Sequence, residues 1–238
     1  MSTPQGGPSR AVLQKLADKA LTRVATGMVL GLGTGRAAEA FIERLGERAR
    51  GGLLVRGVPT SQRSEDLARR MNIEVVTLAD VDRIDIAFDG ADEVAPDLSL
   101  TKGLGGALLR ERVVASEAAK FVVLVTAEKL VEKLGTRSPI PVEVVPFAAP
   151  TIGRRLKKLG ATAVLRQKAD GHGPYQTDNQ NWIFDVSFGP IESPAEIDAA
   201  VRRIPGVVDT GLFLGMATTV LVGEDDDVRE LGKTPWSV

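Results

Sequence analysis

Three short stretches of this chain place acids, a lysine and glycines close together: Asp89-Gly90-Ala91-Asp92, Lys102-Gly103-Leu104-Gly105-Gly106, and Glu111. Carboxylates move protons, a lysine stabilises developing negative charge, and glycines let backbone N–H groups approach a ligand. The apolar run Ile84-Asp85-Ile86-Ala87-Phe88 leads straight into Asp89. A strand ending on acids, a glycine loop with a lysine, then a helix carrying a glutamate is an active-site layout. Each piece alone has an ordinary explanation, since Asp-Gly is common in turns and Lys-Gly can simply precede a helix. Their order within one short span is what points to chemistry.

Glu111 is the candidate general base. Its helix neighbours at i−4, i+3, i+4 and i+7 are Ala107, Val114, Ala115 and Ala118, so the carboxylate faces inward with an apolar stripe. Burial there raises its pKa toward the range useful for proton transfer. Arg110 and Arg112 are adjacent in sequence but point about 100° away around the helix. A second constellation, Gly31-Leu32-Gly33-Thr34-Gly35, lies between an apolar strand and a helix start, where free N–H groups and the helix dipole favour an anion. It lacks the spacing of the dinucleotide fingerprint and has no Walker lysine. Lys129 follows an apolar strand, on the ligand side expected of an open α/β sheet.

These residues need elements to hold them. Helical periodicity covers residues 11–26, a helix with Ala37, Ala38, Phe41, Ile42 and Leu45 inward, residues 61–71, and residues 107–120. Strands are predicted at 28–32, 53–55, 73–76, 84–88 and 121–125. Strands alternating with helices predict a Rossmann-like, mostly parallel sheet with helices on both faces. Beyond Ser138-Pro139-Ile140-Pro141 the pattern changes: strand 142–145, helix 151–159, strands 161–166 and 182–188, helix 194–203, strand 207–213. That β-α-β-β-α-β order is the ferredoxin-like split unit, with residues 167–181 as the loop of its middle pair. A strand at 218–222 returns to the first sheet. The expected domains are 10–138 with 215–238 (catalytic) and 139–214 (ferredoxin-like α+β), after a disordered lead-in, 1–9, without a signal-peptide core.

With 238 residues, 43% hydrophobic, 26% charged and a net charge of −1, the chain suits a globular protein of one large or two modest domains. No basic excess suggests nucleic acid, and no apolar run is long enough to span a membrane; a cytoplasmic location is expected. There are no cysteines, and the single histidine, His172, sits in a turn sequence, Asp170-Gly171-His172-Gly173-Pro174. Thiolate chemistry, a Ser-His-Asp triad and a multi-histidine metal site are therefore not expected.

The Gly31–Gly35 loop, Asp89-Gly90-Ala91-Asp92-Glu93, the run from Lys102 to Glu111, Pro141-Val142-Glu143-Val144-Val145-Pro146 and Ile204-Pro205-Gly206-Val207-Val208 together resemble the type A ribose-5-phosphate isomerases, in order and spacing, from about Ala11 to Val222. The resemblance implies an aldose–ketose isomerase that interconverts D-ribose 5-phosphate and D-ribulose 5-phosphate through an enediolate, in the non-oxidative pentose phosphate pathway, without a cofactor, as a homodimer or homotetramer. It implies Glu111 as the proton-transferring base. Asp89, Asp92 and Lys102 would hold sugar hydroxyls and the reacting carbonyl end, with Gly90, Ala91, Gly103, Leu104 and Gly105 around them. Gly33, Thr34 and Gly35, with Lys129, would form the phosphate side. Two close aspartates beside a lysine are expected to stay ionised. The sequence departs from the family at one place: where the phosphate loop usually reads Gly-Thr-Gly-Ser-Thr, it is Gly33-Thr34-Gly35-Arg36-Ala37. The family's frequent first-helix lysine is also missing near Leu13 and Gln14. Arg36 is the candidate replacement phosphate ligand. Two other classes compete: a sugar-phosphate sensor without turnover, against which Glu111 and Lys102 are both present, and a deaminase or acyl-CoA transferase on a similar fold. The absence of a usable histidine speaks against the deaminase; Glu111 could imitate a transferase carboxylate, but the small domain and phosphate loop do not suggest coenzyme A.

Overall fold

Apolar runs alternating with amphipathic segments build one large sheet, one small sheet and their covering helices in a computed structural model that describes residues 8–225 and 227–232. The first part of the chain runs α1 (Arg10–Leu21), β1 (Val29–Leu32), α2 (Arg36–Arg50), β2 (Arg56–Pro59), α3 (Gln62–Arg70), β3 (Glu74–Val75), β4 (Ile84–Asp89), β5 (Glu93–Val94), β6 (Leu100–Thr101), α4 (Leu108–Ser116) and β7 (Ala118–Thr126). The rest comprises β8 (Ile140–Val144), α5 (Ala149–Lys158), β9 (Thr162–Leu165), β10 (Trp182–Ser187), α6 (Pro194–Arg202), β11 (Val207–Thr210), β12 (Leu212–Phe213), β13 (Thr219–Gly223) and β14 (Val228–Gly232).

The large sheet has seven strands in the order β14-β13-β7-β4-β1-β2-β3. Its pairs are parallel except β13 with β14. From β1 the chain moves outward through β2 and β3, then returns to β4, β7 and β13 on the other side. The order reverses between β1 and β4, so their C-terminal ends open a crevice, the usual ligand position in such sheets. One face buries Leu16, Phe41, Ile42 and Phe88 under α1 and α2, with the Phe41 and Phe88 rings stacked at 4.2 Å. The other buries Val114 of α4 against Val123, Phe121 and Phe213. The alternation along β7, with Val122 and Leu124 on the first face and Phe121, Val123 and Val125 on the second, is what a sheet covered on both sides requires.

The small sheet runs β11-β8-β10-β9, with every neighbour antiparallel. Counted within its own unit the order is fourth, first, third, second, the ferredoxin-like arrangement, and α5 and α6 pack Ile152, Leu156 and Val201 onto it. A further three-stranded sheet, β12-β6-β5, lies beside the crevice.

Several boundaries differ from those predicted. Of the expected lead-in, residues 1–7 lie outside the described residues, as do 233–238; Ser9 is not lead-in but the cap of α1, accepting from the Val12 N–H at 3.3 Å. Helix α1 stops at Leu21, well before residue 26, where the Thr22 hydroxyl turns back on the Lys19 carbonyl at 2.7 Å. The strand expected at 53–55 lies at Arg56–Pro59: Leu53 and Leu54 carry the apolar signal, but Leu54 is 68% exposed and the pairing with β1 starts at Arg56. Residues 118–120, expected to be helical, open β7, because pairing of Ala118 and Lys120 with β4 overrides their helix propensity. The strand expected at 207–213 divides at Gly211 between two sheets. The two-residue strands β5, β6 and β12 are too short to carry a period, and β14 is a mostly exposed edge strand.

Candidate active site

The crevice begins with a close approach of two strand ends. Past β1 the chain turns at Gly33, whose N–H donates to the Phe88 carbonyl at 2.9 Å. Any Cβ on Gly33 would run into the Asp89 carboxylate, so glycine is required there. Asp89 ends β4 and is almost wholly buried. Its Oδ1 accepts from the N–H groups of Gly90 (2.7 Å) and Thr34 (3.1 Å), and its Oδ2 lies 3.1 Å from Lys102 Nζ. One carboxylate thus ties the anion loop to the lysine.

Lys102 follows β6 and reaches inward. Its ammonium donates to the Gly90 carbonyl at 2.5 Å and stands 3.3 Å from Glu111 Oε2. Glu111 sits in the first turn of α4, 4% exposed, and its Oε2 makes no hydrogen bond. Arg110 and Arg112, its neighbours, pair elsewhere: Arg110 with Asn179 and Asp178, Arg112 with Asp209. Glu111 is therefore a buried carboxyl that lines the cleft, ion-paired through Oε2 with a cation and accepting no protein hydrogen bond there.

The electrostatics follow from that burial. Burial pushes the Glu111 carboxyl up to about 8; the Asp89 charge adds to the rise and the Lys102 ammonium holds it back. Burial also raises Asp89, against the pull of Lys102. Asp92, which accepts from the Leu104 N–H at 3.0 Å, is raised by burial too, against that hydrogen bond and Lys102. The expectation that a neighbouring lysine alone keeps both aspartates ionised is thus too simple, because loss of water opposes it. Burial works against the charge on Lys102, but the carboxylates of Asp89, Glu111 and Asp92 outweigh it and hold the ammonium above its ordinary range.

The cleft beside this cluster holds about 250 Å³ of free space and is lined by Asp92, Lys102 and Glu111. Thr34, Arg36 and Lys129 line it too. There α2 starts on Gly35, with no side-chain cap, so its first N–H groups face the cleft unbonded within the helix. Arg36 is the first residue of α2 and Lys129 ends a 3₁₀ turn after β7, so two cations from different elements line the same cleft. The Thr34 hydroxyl lies within 2.7–3.0 Å of the hydroxyls of Ser61, Thr60 and Ser64, and Ser64 Oγ donates to the Gly33 carbonyl at 2.6 Å. This buried cluster braces the loop from below.

Most of the sequence-predicted site residues meet in this cleft. Gly35, Ala37, Gly90, Ala91, Gly103 and Gly105 line it with the charged groups already named. Asp89, Gly33 and Leu104 are not among its lining residues. Asp89 stands one layer behind, its oxygens occupied by protein donors; Gly33 is buried against it; the Leu104 side chain is 42% exposed and contributes its backbone to Asp92. Leu13 also lines the cleft, at the place where the sequence lacks a first-helix lysine. Residues missed from sequence are Thr60, Ser61 and Ser64. The available signal was their position after β2, next to β1, on the ligand side of the sheet. His172 is exposed. Among the described residues no group of three or more His, Cys, Asp or Glu side chains is placed to hold a metal ion.

A profile of the ribose 5-phosphate isomerase A (phosphoriboisomerase A) family matches residues 56–227. The chain is 48% identical over 220 residues to ribose-5-phosphate isomerase A of Gloeobacter violaceus, covering 92% of this chain and 94% of that protein. Its structure is similar to ribose 5-phosphate isomerase A of Methanocaldococcus jannaschii, with a TM-score of 0.91, 44% identity, and coverage of 95% of this chain and 100% of the other. It is also similar to a D-ribose-5-phosphate isomerase solved in complex with phospho-erythronic acid, with a TM-score of 0.92, 39% identity and coverage of 95% and 100%.

Proposed function

Because this chain belongs to the ribose 5-phosphate isomerase A family, we propose that the cleft between β1 and β4 carries its isomerisation chemistry, with Glu111 as the base. The protein is an aldose–ketose isomerase for D-ribose 5-phosphate and D-ribulose 5-phosphate. Glu111 takes the proton from C2 of the open-chain aldose and returns it to C1. The charge that develops on the oxygens of the intermediate enediolate is met by Lys102, which the surrounding carboxylates keep protonated. The remaining proton passes from O2 to O1, and the reaction balances without an added reagent. Asp92 faces the cleft and accepts from sugar hydroxyls. Asp89 acts from behind, holding Lys102 and the anion loop in one frame. The phospho-erythronic acid held by a similar structure is a phosphorylated polyhydroxy acid. Its carboxylate presents two oxygens as an enediolate does, which supports this reading.

The observation that carries the mechanism is the buried Glu111 carboxyl that lines the cleft and is ion-paired with Lys102. Incubation of the pure protein with ribose 5-phosphate should yield ketose; no ketose above a Glu111→Gln control would remove it. We propose further that the protein is a cytoplasmic homodimer or homotetramer, as the resemblance implies; light scattering on the purified protein reads the assembly. No helix among the described residues is long and apolar enough to cross a membrane.

Burial sets the pH dependence. Glu111 must lose its proton to act, and in the free enzyme it does so at about 8 instead of 4.5. The rising limb of kcat/KM is therefore expected near pH 8, because that ratio reports free-enzyme ionisations. A limb centred near 4.5 in a kcat/KM profile would contradict the burial argument.

Arg36 sets the phosphate end. A guanidinium grips a phosphate through two parallel hydrogen bonds, and here it stands beside a helix N-terminus that already favours anions. A bare cation at that position would be unfavourable against the helix dipole, so a bound anion gives the residue its reason. Arg36→Ala is expected to raise KM for ribose 5-phosphate about tenfold or more, or roughly 1.5–3 kcal/mol for a charged hydrogen bond. Turnover of unphosphorylated ribose should change much less. An unchanged KM at low and moderate salt would make Arg36 a solvated surface charge.

A further inference from the structure

We propose that Arg166 is a positioning residue for the isomerisation, reaching from the ferredoxin-like unit to fix the loop that joins Lys102 to the Glu111 helix. The inference rests on the roles given above to Lys102 and Glu111. Arg166 follows β9, and its side chain is 13% exposed. Its Nη1 donates to the carbonyls of Gly103 (3.2 Å) and Leu104 (3.1 Å). Its Nε and Nη2 grip the two oxygens of Asp185 on β10 at 2.9 and 2.5 Å. The guanidinium lies 5.7 Å from the centre of the Tyr175 ring. Tyr175 in turn fills the space over Gly106: any Cβ there would run into its hydroxyl, and Gly106 has φ +84°, which an L side chain rarely adopts.

The loop from Gly103 to Ala107 belongs to no helix or strand. Its cleft side is held by the Asp92 carboxylate on the Leu104 N–H. Its other side is held by Arg166. The Gly103 carbonyl and the Leu104 N–H belong to one peptide group, so Arg166 and Asp92 hold its two edges, and Arg166 holds the next peptide through the Leu104 carbonyl. The loop carries Lys102 at one end and leads through Ala107 into α4 with Glu111 at the other. A shift in it displaces the cation relative to the base. Small misplacement of reacting groups is expensive, up to about 10²-fold in rate for 1 Å. Asp185 pairs with the guanidinium, and what remains of its charge helps to hold the Asp92 carboxyl down, less than the Leu104 hydrogen bond and Lys102 do. The fork of Arg166 spans one carboxylate and two carbonyls at once, which a lysine cannot do.

The test is steady-state kinetics of Arg166→Met and Arg166→Lys on ribose 5-phosphate, with amide hydrogen exchange followed across residues 103–107. The Met variant should lose about 10- to 100-fold in kcat. Its KM should stay within about threefold, because Thr34, Arg36 and Lys129 are untouched. Exchange should quicken in residues 103–107 and not in β1 or β4. The Lys variant should regain only part of the loss. A soluble Met variant with kcat within twofold of the parent overturns the proposal. So does a variant with a lower Tm whose folded fraction keeps both kcat and KM, since that is a purely structural role. If the Met variant does not fold, Asp185→Asn releases the guanidinium from its anchor and must show the same split between kcat and KM, and an unchanged kcat there overturns the proposal equally. A parent protein that makes no ribulose 5-phosphate would instead remove the reading of the site itself.

Discussion

Glu111→Gln abolishes most turnover and leaves the fold and substrate binding nearly intact. The side chain keeps its shape, but an amide cannot take a proton from carbon. Loss of a positioned general base costs about 10² to 10⁴ in rate. KM should move little, because the phosphate contacts proposed above, Thr34, Arg36 and Lys129, are untouched. A second readout separates this from simple damage. In the parent, the Glu111 carboxyl titrates at about 8 when folded against 4.5 as a free group. Its folded pKa is raised, so its stabilising contribution is full below about pH 4.5 and is lost as pH rises through about 8. The Gln variant has no such group. Its Tm should therefore fall less than the parent's between pH 6 and pH 9. A variant that keeps more than half of the parent kcat would take Glu111 out of the mechanism.

How much of this was legible in the residues depends on range. The inward direction of Glu111 follows from Ala107, Val114 and Ala115 on the same stripe, since helix geometry is local. The ends of β1 and β4 can be read from Gly31–Gly35 and from the acids after Phe88. The ferredoxin-like order is legible because its strands and helices are long enough to show a period. What the sequence hides is non-local. Nothing near Asp89 announces that its oxygens are filled by Thr34, Gly90 and Lys102, leaving it behind the cleft. The hydroxyls of Thr60, Ser61 and Ser64 reach Thr34 only because β2 pairs with β1. Arg166 is separated from Gly103 by the whole crossover into the second unit, so its grip on the loop has no sequence signature. The short strands β5, β6 and β12 form by pairing with distant partners, and their two residues carry no pattern.

Lys102→Met should cost both activity and pH-resistant stability, by separable routes. The ammonium is the cation that faces Asp89 at 3.1 Å and Glu111 at 3.3 Å. All three groups are almost completely buried. Removing one partner of a buried ionic cluster typically costs about 3–5 kcal/mol, because the remaining charges are left without compensation. Here the carboxyls can escape that cost by staying protonated, so the loss depends on pH. Lys102 holds both carboxyls down, and without it Asp89 and Glu111 rise further. For acids with raised folded pKa values, the stabilisation is lost as pH rises through those values. The Tm gap between parent and variant should therefore widen from pH 6 to pH 9. The kinetics follow the same logic. At neutral pH the variant has lost the enediolate's cation and also the ionisable state of its base. At pH 9 and above part of the base returns, but the oxyanion stabilisation does not. A residual deficit of about 10² to 10³ in kcat should persist there, the size seen for loss of one oxyanion donor. If the deficit disappears at high pH, Lys102 serves only to ionise Glu111, and the charge on the intermediate is carried elsewhere. If instead the Tm gap is constant across the range, the buried carboxyls are not coupled through Lys102, and the electrostatic account of the site fails with them.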